Sequence, residues 1–333
     1  MDILADGVIN YDNIRGKVEA TEKEIESFGV NSGDLLFQRS SETLEDVGRA
    51  NVYMDNRTAV YGGFVIRGRK IGSYDPFFVK YLLATPLARK RTCRMGAGAQ
   101  HFNIGQESLA KISLYFPSME EQQKIAEFLS LLDERIATQN KIIKDLKKLK
   151  SAIRDLLYIQ IQTGEFENKT IGDLLSYEQP VKYIVVDTEY SDDRNLIPVL
   201  TANKTFILGY TTEQENVFDK NECIIFDDFT MDVKYVNFPF KVKSSAIKIL
   251  TAKTNINLYF VYEYLLFLRL MSEEHKRHYI SEIEPLNIAI PNPAMQYKIV
   301  DCLRCINEQI DNAQRYQITY QKQKQYLLNQ IFI

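Results

Sequence analysis

The sequence lacks the features of membrane, secreted and nucleotide-driven proteins. It has no apolar run long enough to span a bilayer, and its opening residues do not have the pattern of a signal peptide. Its four cysteines, Cys93, Cys223, Cys302 and Cys305, make no disulfide framework. It also has no Walker-type loop and no glycine-rich cofactor loop after a strand. We therefore predict a cytoplasmic protein with no membrane contact, no bound cofactor and no ATPase activity.

The charge balance leaves the class of partner open. The chain has 41 Lys and Arg residues against 44 Asp and Glu residues, so its total charge neither implies nor excludes a polyanionic partner. Its 333 residues are enough for two domains of ordinary size, each with its own core.

One sequence pattern occurs twice. The segment PSMEEQQKI at residues 117–125 returns as PNPAMQYKI at residues 291–299, and each copy opens a long helical pattern. The shift, 291 − 117 = 174, also relates the two helices position by position. Both carry mainly apolar residues at steps of four and three, as in the seam of a coiled coil. The first seam is Leu132, Ile136, Gln139, Ile143, Leu146, Lys150, Ile153 and Leu157, and the second is Ile306, Ile310, Ala313, Gln317, Tyr320, Lys324, Leu327 and Ile331.

The two helices are too long to bury these seams against their own domains. Roughly 40 residues at 1.5 Å per residue give a length of about 60 Å. We predict that residues 136–157 pack against residues 310–331 within one chain, as an intramolecular coiled coil. The alternative is that each helix is a dimerisation zipper. The matched lysines, Lys150 and Lys324, either set the register or lie where the coil frays.

The segments before the two helices also correspond. Residues 30–37 resemble residues 219–226, residues 77–83 resemble residues 260–266, and residues 100–102 resemble residues 277–279. These patterns predict two globular units, each with mixed helices and strands. The second unit has a strand-and-helix start at residues 170–187 that the first lacks. Either the chain is truncated at its amino terminus or the first domain does without this element, and we expect truncation.

These residues closely resemble the specificity subunit of type I restriction-modification systems, over essentially the whole chain. The strongest matches are residues 96–104 (GAGAQHFNI), the EQQKIA helix start at residues 121–126, and in the second copy residues 200–203, 227–230, Pro291 and Gln296. The resemblance implies an α+β fold in which two target recognition domains alternate with two helices that pack as an antiparallel coiled coil. It implies domains at residues 1–117 (incomplete at the start) and 166–291, and helices at residues 118–165 and 292–333.

The resemblance also implies the function. Each recognition domain is expected to read one half of a split sequence in double-stranded DNA. The helices are expected to fix the distance between the halves and to bind two methyltransferase subunits, with restriction subunits joining the complex. The chain itself is expected to be non-catalytic.

A basic segment in the first unit suggests contacts to DNA phosphates. Residues 66–112 contain nine Lys and Arg residues but only Asp75 and Glu107 as acids. Such a patch neutralises phosphates and gives affinity without sequence information. The alternative is an ordinary solvated helix surface. The candidates that we assign to DNA binding here are Arg67, Arg89, Lys90 and Arg94.

Base reading requires paired donors and acceptors on loops that can enter a groove. In the first unit the candidates are Arg39, Ser40, Ser41, Gln100, His101 and Asn103. In the second unit they are Thr201, Asn203, Lys204, Asp228, Thr230, Lys234, Arg277 and His278. Ordinary turn chemistry is the alternative for each of these residues.

Several patterns resemble catalytic or metal sites but are weak. Cys302 and Cys305 have zinc-like spacing, yet they fall inside a helical pattern and lack a second ligand pair. Asp228, Asp232 and Lys234 resemble the acid-and-lysine cluster of metal-dependent nucleases, so an autonomous nuclease is one alternative function. The other alternative is a partial specificity fragment that donates a recognition domain.

Overall fold

The computed structural model describes residues 2–4, 7–98, 101–201, 205–272 and 276–332. The chain divides into two compact units. The first consists of Met1–Ile143 and Asn312–Ile333, and the second of Lys144–Asp311. Each unit therefore contains one globular domain together with parts of both long helices. The bounds of the four segments expected from the sequence stay a prediction.

The first unit is built from short strands and helices. In chain order they are α1 (Glu22–Phe28), β1 (Gly29–Val30), β2 (Leu35–Gln38), β3 (Ser40–Ser41), β4 (Ala50–Val52), β5 (Ala59–Val60), β6 (Val65–Gly68), α2 (Pro76–Ala84), α3 (Pro86–Cys93), β7 (Phe102–Asn103) and α4 (Gln106–Ala110). The first long helix, α5 (Met119–Thr163), begins here and ends in the second unit. The main sheet is antiparallel, in the order β4-β2-β6, and β1 pairs with β5 and β3 with β7.

The second unit has more strands. In chain order it contains β8 (Glu167–Thr170), α6 (Ile171–Leu174), β9 (Leu175–Glu178), β10 (Ile197–Leu200), β11 (Ile207–Thr211), β12 (Cys223–Asp227), β13 (Val233–Val236), β14 (Lys241–Val242), β15 (Ile247–Ala252), α7 (Leu258–Leu268) and β16 (Asn287–Ile290). The second long helix, α8 (Pro293–Ile331), begins here and ends in the first unit. The sheets have the orders β13-β12-β15-β9, β11-β10-β14 and β16-β8.

The two units differ in one respect that the sequence predicted. In the second unit β8, α6 and β9 form the strand-and-helix start, with β9 on the outer edge of β15 and β8 beside β16. In the first unit β6 occupies the place of β15, and among the described residues no strand pairs with its outer edge. Residues 113–116, which correspond to β16, form no strand, and Tyr115 is 83% exposed.

Side-chain caps explain where the helices begin. Ser118 and Glu121 form a capping box at the start of α5, because each accepts a hydrogen bond from the backbone N–H of the other. Asn292 accepts from the N–H of Met295 at 3.0 Å, and Pro293 occupies the first turn of α8, where no N–H is needed.

The positions of the two predicted seams are screened from solvent, while their role as the seam of a coiled coil stays a prediction. All sixteen seam positions are buried or half-buried. In the first unit Asp133 pairs with Lys324 and Asn140 with Gln317. From the first pair to the second, the residue number rises by seven on α5 and falls by seven on α8. The two helices therefore pack antiparallel here, within one chain. In the second unit Ile153 and Leu157 of α5 join the core that contains Ile299 and Leu303 of α8. A superhelical twist of the pair stays a prediction.

Candidate nucleic-acid interface

The first unit brings two of its predicted loops together. Antiparallel pairing of β3 with β7 sets Ser40 opposite Asn103, and the Ser40 hydroxyl donates to the Asn103 side chain. Arg39, His101 and Asn103 are exposed beside this pairing. Their amide, guanidinium and imidazole groups are of the types that read base edges or bind phosphates.

Glycine makes the approach to this loop possible. Gly98 has φ +140°, and a Cβ there would lie 2.0 Å from the carbonyl oxygen of His101. Any side chain would therefore clash with the backbone, so the glycine-rich stretch before His101 has a steric reason. Gln100, which was also predicted to contact DNA, lies outside the described residues.

The basic residues of the first unit separate into two groups. Lys90 and Arg94 are exposed, at the end of α3 and just after it. Arg89 instead donates to the carbonyl oxygens of Glu45 and Val47 at 2.8 and 2.7 Å, and burial lowers its pKa. Arg67 donates to the carbonyl of Gly29. The guanidinium groups of Arg67 and Arg89 therefore link segments of their own domain, and we no longer propose that they contact DNA phosphates.

In the second unit Asp228 is an internal support. Its side chain is 1% exposed, and Oδ1 accepts from the backbone N–H groups of His278 and Tyr279 at 3.2 and 2.9 Å. Oδ2 lies 3.5 Å from Nζ of Lys248, which is equally buried. The expectation that Asp228 contacts DNA is corrected on this ground, because an acid enclosed by its own donors cannot reach a groove.

His278 is buried for a related reason. It is 2% exposed, with Nε2 at 2.7 Å from the Ser272 hydroxyl and Nδ1 at 3.0 Å from the Glu282 carboxylate. Hydrogen bonds to the Glu282 carboxylate lower its pKa, with the larger effect from Lys276 and the next from His278. His278 thus links Ser272 to Glu282, and we no longer propose that it contacts DNA directly.

The match between His101 and His278 does not hold in three dimensions. The N–H of His278 donates to the carbonyl of Asp228 at 3.0 Å. The corresponding bond in the first unit, to the carbonyl of Arg39 at 3.0 Å, comes from Ile104. Buried Ile104 therefore occupies the place of buried His278, three residues beyond exposed His101.

The exposed polar groups of the second unit surround this internal support. Asp227 accepts from the N–H groups of Phe229 and Thr230 at 2.9 and 3.2 Å, which forms the turn that presents Thr230. The guanidinium of Arg277 lies 5.9 Å from the centre of the Phe229 ring. Lys234 is half-exposed at the start of β13.

A loop that we did not predict joins this group. Residues 243–246 connect β14 to β15, with the N–H of Lys243 bonded to the carbonyl of Leu200 and the carbonyl of Ala246 bonded to the N–H of Asp228. Lys243 and Ser244 are exposed. A Lys-Ser-Ser run between two apolar strands was the available signal. The same loop adjoins Thr201, whose side chain is buried, while Asn203 and Lys204 lie outside the described residues.

The weak catalytic and metal patterns gain no support from the geometry. Cys302 and Cys305 lie on α8, as the helical pattern predicted, and both side chains are exposed. Among the residues that the structure describes, no group of three or more His, Cys, Asp or Glu side chains is arranged to hold a metal ion. In the same ranges, no helix is both long and apolar enough to cross a bilayer.

Comparisons with known proteins identify the family. The type I restriction modification DNA specificity domain matches residues 5–148 and again residues 163–320. The chain belongs to this family, with two copies of the domain, and the prediction from the sequence is confirmed.

Curated relatives carry the corresponding names. The chain is 44% identical over 135 residues to the EcoR124I/EcoR124II specificity subunit of Escherichia coli, a match that covers 39% of this chain and 33% of that protein. It is 22% identical over 364 residues to the putative MjaX specificity subunit of Methanocaldococcus jannaschii, covering 99% and 84%. The first relative is thus matched over about a third of its length.

Solved structures share the fold at low sequence identity. The type I restriction-modification S subunit from M. genitalium has a TM-score of 0.60 at 14% identity, covering 92% of this chain and 85% of that one. A chain from a study of complex assembly and conformational transition in a type I system has a TM-score of 0.54 at 13% identity, covering 91% and 82%.

Proposed function

We propose that this chain is the DNA-recognition subunit of a type I restriction-modification complex that acts in the cytoplasm. Each unit reads one half of a split target in double-stranded DNA. The chain directs methylation by two methyltransferase subunits, and cleavage by restriction subunits, and does not itself catalyse either reaction.

The strongest support for this proposal is an arrangement that both units share. In both units the residue after the central strand, β2 or β12, is joined by its carbonyl to a distant segment, and exposed polar side chains surround the junction. Two separate surfaces of this kind in one chain suit two half-sites. The side chains that we assign to DNA contact are Arg39, Ser40, Ser41, Lys90, Arg94, His101, Asn103, Thr230, Lys234 and Arg277.

Exposed apolar side chains on α5 support the docking of partner subunits. Phe128 and Leu131 in the first unit, and Leu149, Leu156 and Ile159 in the second, are each between 45% and 58% exposed. They lie away from the seam, and apolar side chains left in water at heptad spacing are typical of a face that another protein covers. We assign them to methyltransferase binding.

The test is the methylation pattern of a host that expresses this chain with its methyltransferase subunit. We expect one new split motif in the host genome. Thr230→Ala combined with Arg277→Ala should relax or change one half of that motif and leave the other half intact. Changes in both halves, or cleavage and methylation by the isolated chain, would contradict the assignment.

A second candidate function rests on the difference between the units. The described residues of the first unit contain no counterpart of β8, α6 and β9, so only the second domain has the full set of strands. A partial specificity protein would specify a motif with one defined half. The same methylation experiment separates the two functions.

A further inference from the structure

Lys150 and Lys324 stand at matching positions of the two long helices, and each lies beside a carboxylate. The carboxylate comes from a different kind of element in each unit. In the first unit Lys324 on α8 pairs with Asp133 on α5. In the second unit Lys150 on α5 lies 2.6 Å from Glu263 on α7, which is 0% exposed. The acid therefore belongs to a long helix in the first unit and to the recognition domain in the second.

The caps of the short helices α2 and α7 correct their alignment by one residue from the sequence match of residues 77–83 with residues 260–266, so Tyr81 corresponds to Glu263 rather than to Tyr264. Asp75 caps α2 and Asn257 caps α7, by accepting from the N–H three residues later. Six residues beyond each cap (75 + 6 = 81 and 257 + 6 = 263) stand Tyr81 and Glu263. The Tyr81 hydroxyl donates to Asp133 at 2.8 Å. A neutral donor therefore occupies the place where the second unit has an acid.

The 174-residue shift shows which residue of the second unit corresponds to Asp133. Because 133 + 174 = 307 and 324 − 174 = 150, the pair Asp133–Lys324 corresponds to Asn307 and Lys150. Asn307 is neutral and donates to the Tyr259 hydroxyl. The position that supplies the acid in the first unit thus has an amide in the second.

Neighbouring charges reinforce the difference. In the second unit Arg154 lies 3.5 Å from Glu263 and adds another cation from α5. In the first unit Lys80 of α2 lies 3.7 Å from Asp133, so there the recognition domain contributes positive charge. The domain side of the junction is positive in the first unit and negative in the second.

We propose that the position of this acid decides which recognition domain each section of the long helices accepts. A domain with tyrosine at this position, docked beside Lys150 and Arg154, removes the Glu263 carboxylate from both cations and leaves Arg154 with its longer contact to Asp155, at 3.9 Å. A domain with glutamate there, docked beside Asp133, sets two acids against Lys324. The first exchange is disfavoured because losing the acid of a buried ion pair is costly. The second is disfavoured because two carboxylates placed close together repel each other. Tyr81 and Glu263 are positioning residues that act at the junction of domain and helices.

The experiment moves the acid across the junction in the full-length chain. Glu263→Gln removes it from α7, and Asn307→Asp returns it from α8. We expect Glu263→Gln to lower the Tm of the second unit by about 5–15 °C and the double variant to recover at least half of that loss. Hydrogen exchange at α7 assigns the transition. The reverse exchange in the first unit pairs Tyr81→Glu with Asp133→Asn. There we expect the double variant to recover a smaller share of the loss, because the buried Tyr81 ring also packs with Leu129, Leu132 and Leu328.

The matched control is Gln309→Glu, which adds an acid to an exposed position on α8. Losses that merely add in both double variants, or recovery by Gln309→Glu equal to that by Asn307→Asp, would overturn the proposal. If a single variant does not fold, its double variant should fold, and failure of both double variants would also overturn it. Unfolding is measured rather than DNA binding, so the outcome is independent of the proposed function.

Discussion

The side chain of Gln296 accepts a hydrogen bond from the backbone N–H of Asn257 at 2.9 Å. Its amide also donates to the carbonyl of Pro291 at 2.9 Å. Gln122 makes the same two bonds, from the N–H of Asp75 at 3.0 Å and to the carbonyl of Pro117 at 2.9 Å. The repeated proline-to-glutamine spacing therefore has a mechanical role. One buried amide joins the start of a long helix to the start of the short helix in the neighbouring domain.

Replacing this amide should detach the short helix from the long one. Gln122→Leu removes the side-chain partner of a part-buried N–H and of a part-buried carbonyl, and we expect the free energy of unfolding to fall by about 1–3 kcal/mol. Chemical denaturation of the first unit measures it. Gln123→Leu is the matched control, because Gln123 is the exposed neighbour and should change stability by less than about 0.5 kcal/mol. Equal losses in the two variants would contradict this role.

Asp228 should behave as a structural acid. Asp228→Ala leaves Lys248 buried without its carboxylate and removes the acceptor for two backbone N–H groups. We expect a loss of about 3–5 kcal/mol in the free energy of unfolding. Asp232→Ala is the control, since that side chain is 66% exposed, and it should be nearly neutral. A stable Asp228→Ala protein that has lost only DNA binding would show that Asp228 acts on DNA after all.

Lys90 and Arg94 should contribute to DNA affinity without contributing to specificity. If each neutralises one phosphate, Lys90→Ala or Arg94→Ala should reduce the slope of log affinity against log salt by about 0.9. Binding of the assembled complex to unrelated duplex DNA, measured across a salt series, gives that slope. Lys322→Ala, an exposed lysine on α8, should leave it unchanged. An unaltered slope in the Lys90 and Arg94 variants would remove them from the interface.

Glu213 should make the second unit sensitive to acid. Hydrogen bonds from the N–H of Asp187 and from Lys241 lower its pKa below the ordinary value of 4.5. A lowered pKa means that the folded state favours the charged form, so this stabilisation is present above pH 4.5 and is lost as the pH falls through the lowered value.

The matching variant is Glu213→Gln. We expect it to be less stable than the parent at pH 7, with the gap closing as acid protonates the parent. Denaturation curves between pH 7 and pH 3 would test this, with exposed Glu215→Gln as the control. A gap that stays constant with pH would exclude the ionised carboxylate as its cause.

Much of the architecture could be predicted because it follows from periodicity. The 174-residue shift predicted two long helices, and alternation with turn residues predicted mixed domains. These signals are local or repeated, so a single sequence contains them. Pairing of Ser40 and Ser41 with Asn103 and Phe102 was not predicted, although the polar groups of both segments had marked them as candidates for DNA contact.

The roles of individual polar residues could not be predicted in the same way. An aspartate after a strand has the same sequence signature whether it points to solvent or to a buried lysine. The partner of Asp228 lies twenty residues later, within the apolar run of β15. A lysine in the middle of such a strand is costly to bury alone, and Lys248 was the one available hint that an internal acid had to exist. The alignment of His101 with His278 failed because residue type was matched without the backbone bond that defines the position.

The outer edge of β6 has a consequence for how copies of the protein behave in concentrated solution. Among the described residues this edge carries no strand, and the exposed Arg69 and Lys70 directly follow β6. Bare edges invite strands from other molecules, and cationic side chains at such places oppose that approach. Two molecules meeting edge to edge would bring four positive charges together. Added salt screens this repulsion, so we expect edge-to-edge association of the protein to increase with ionic strength.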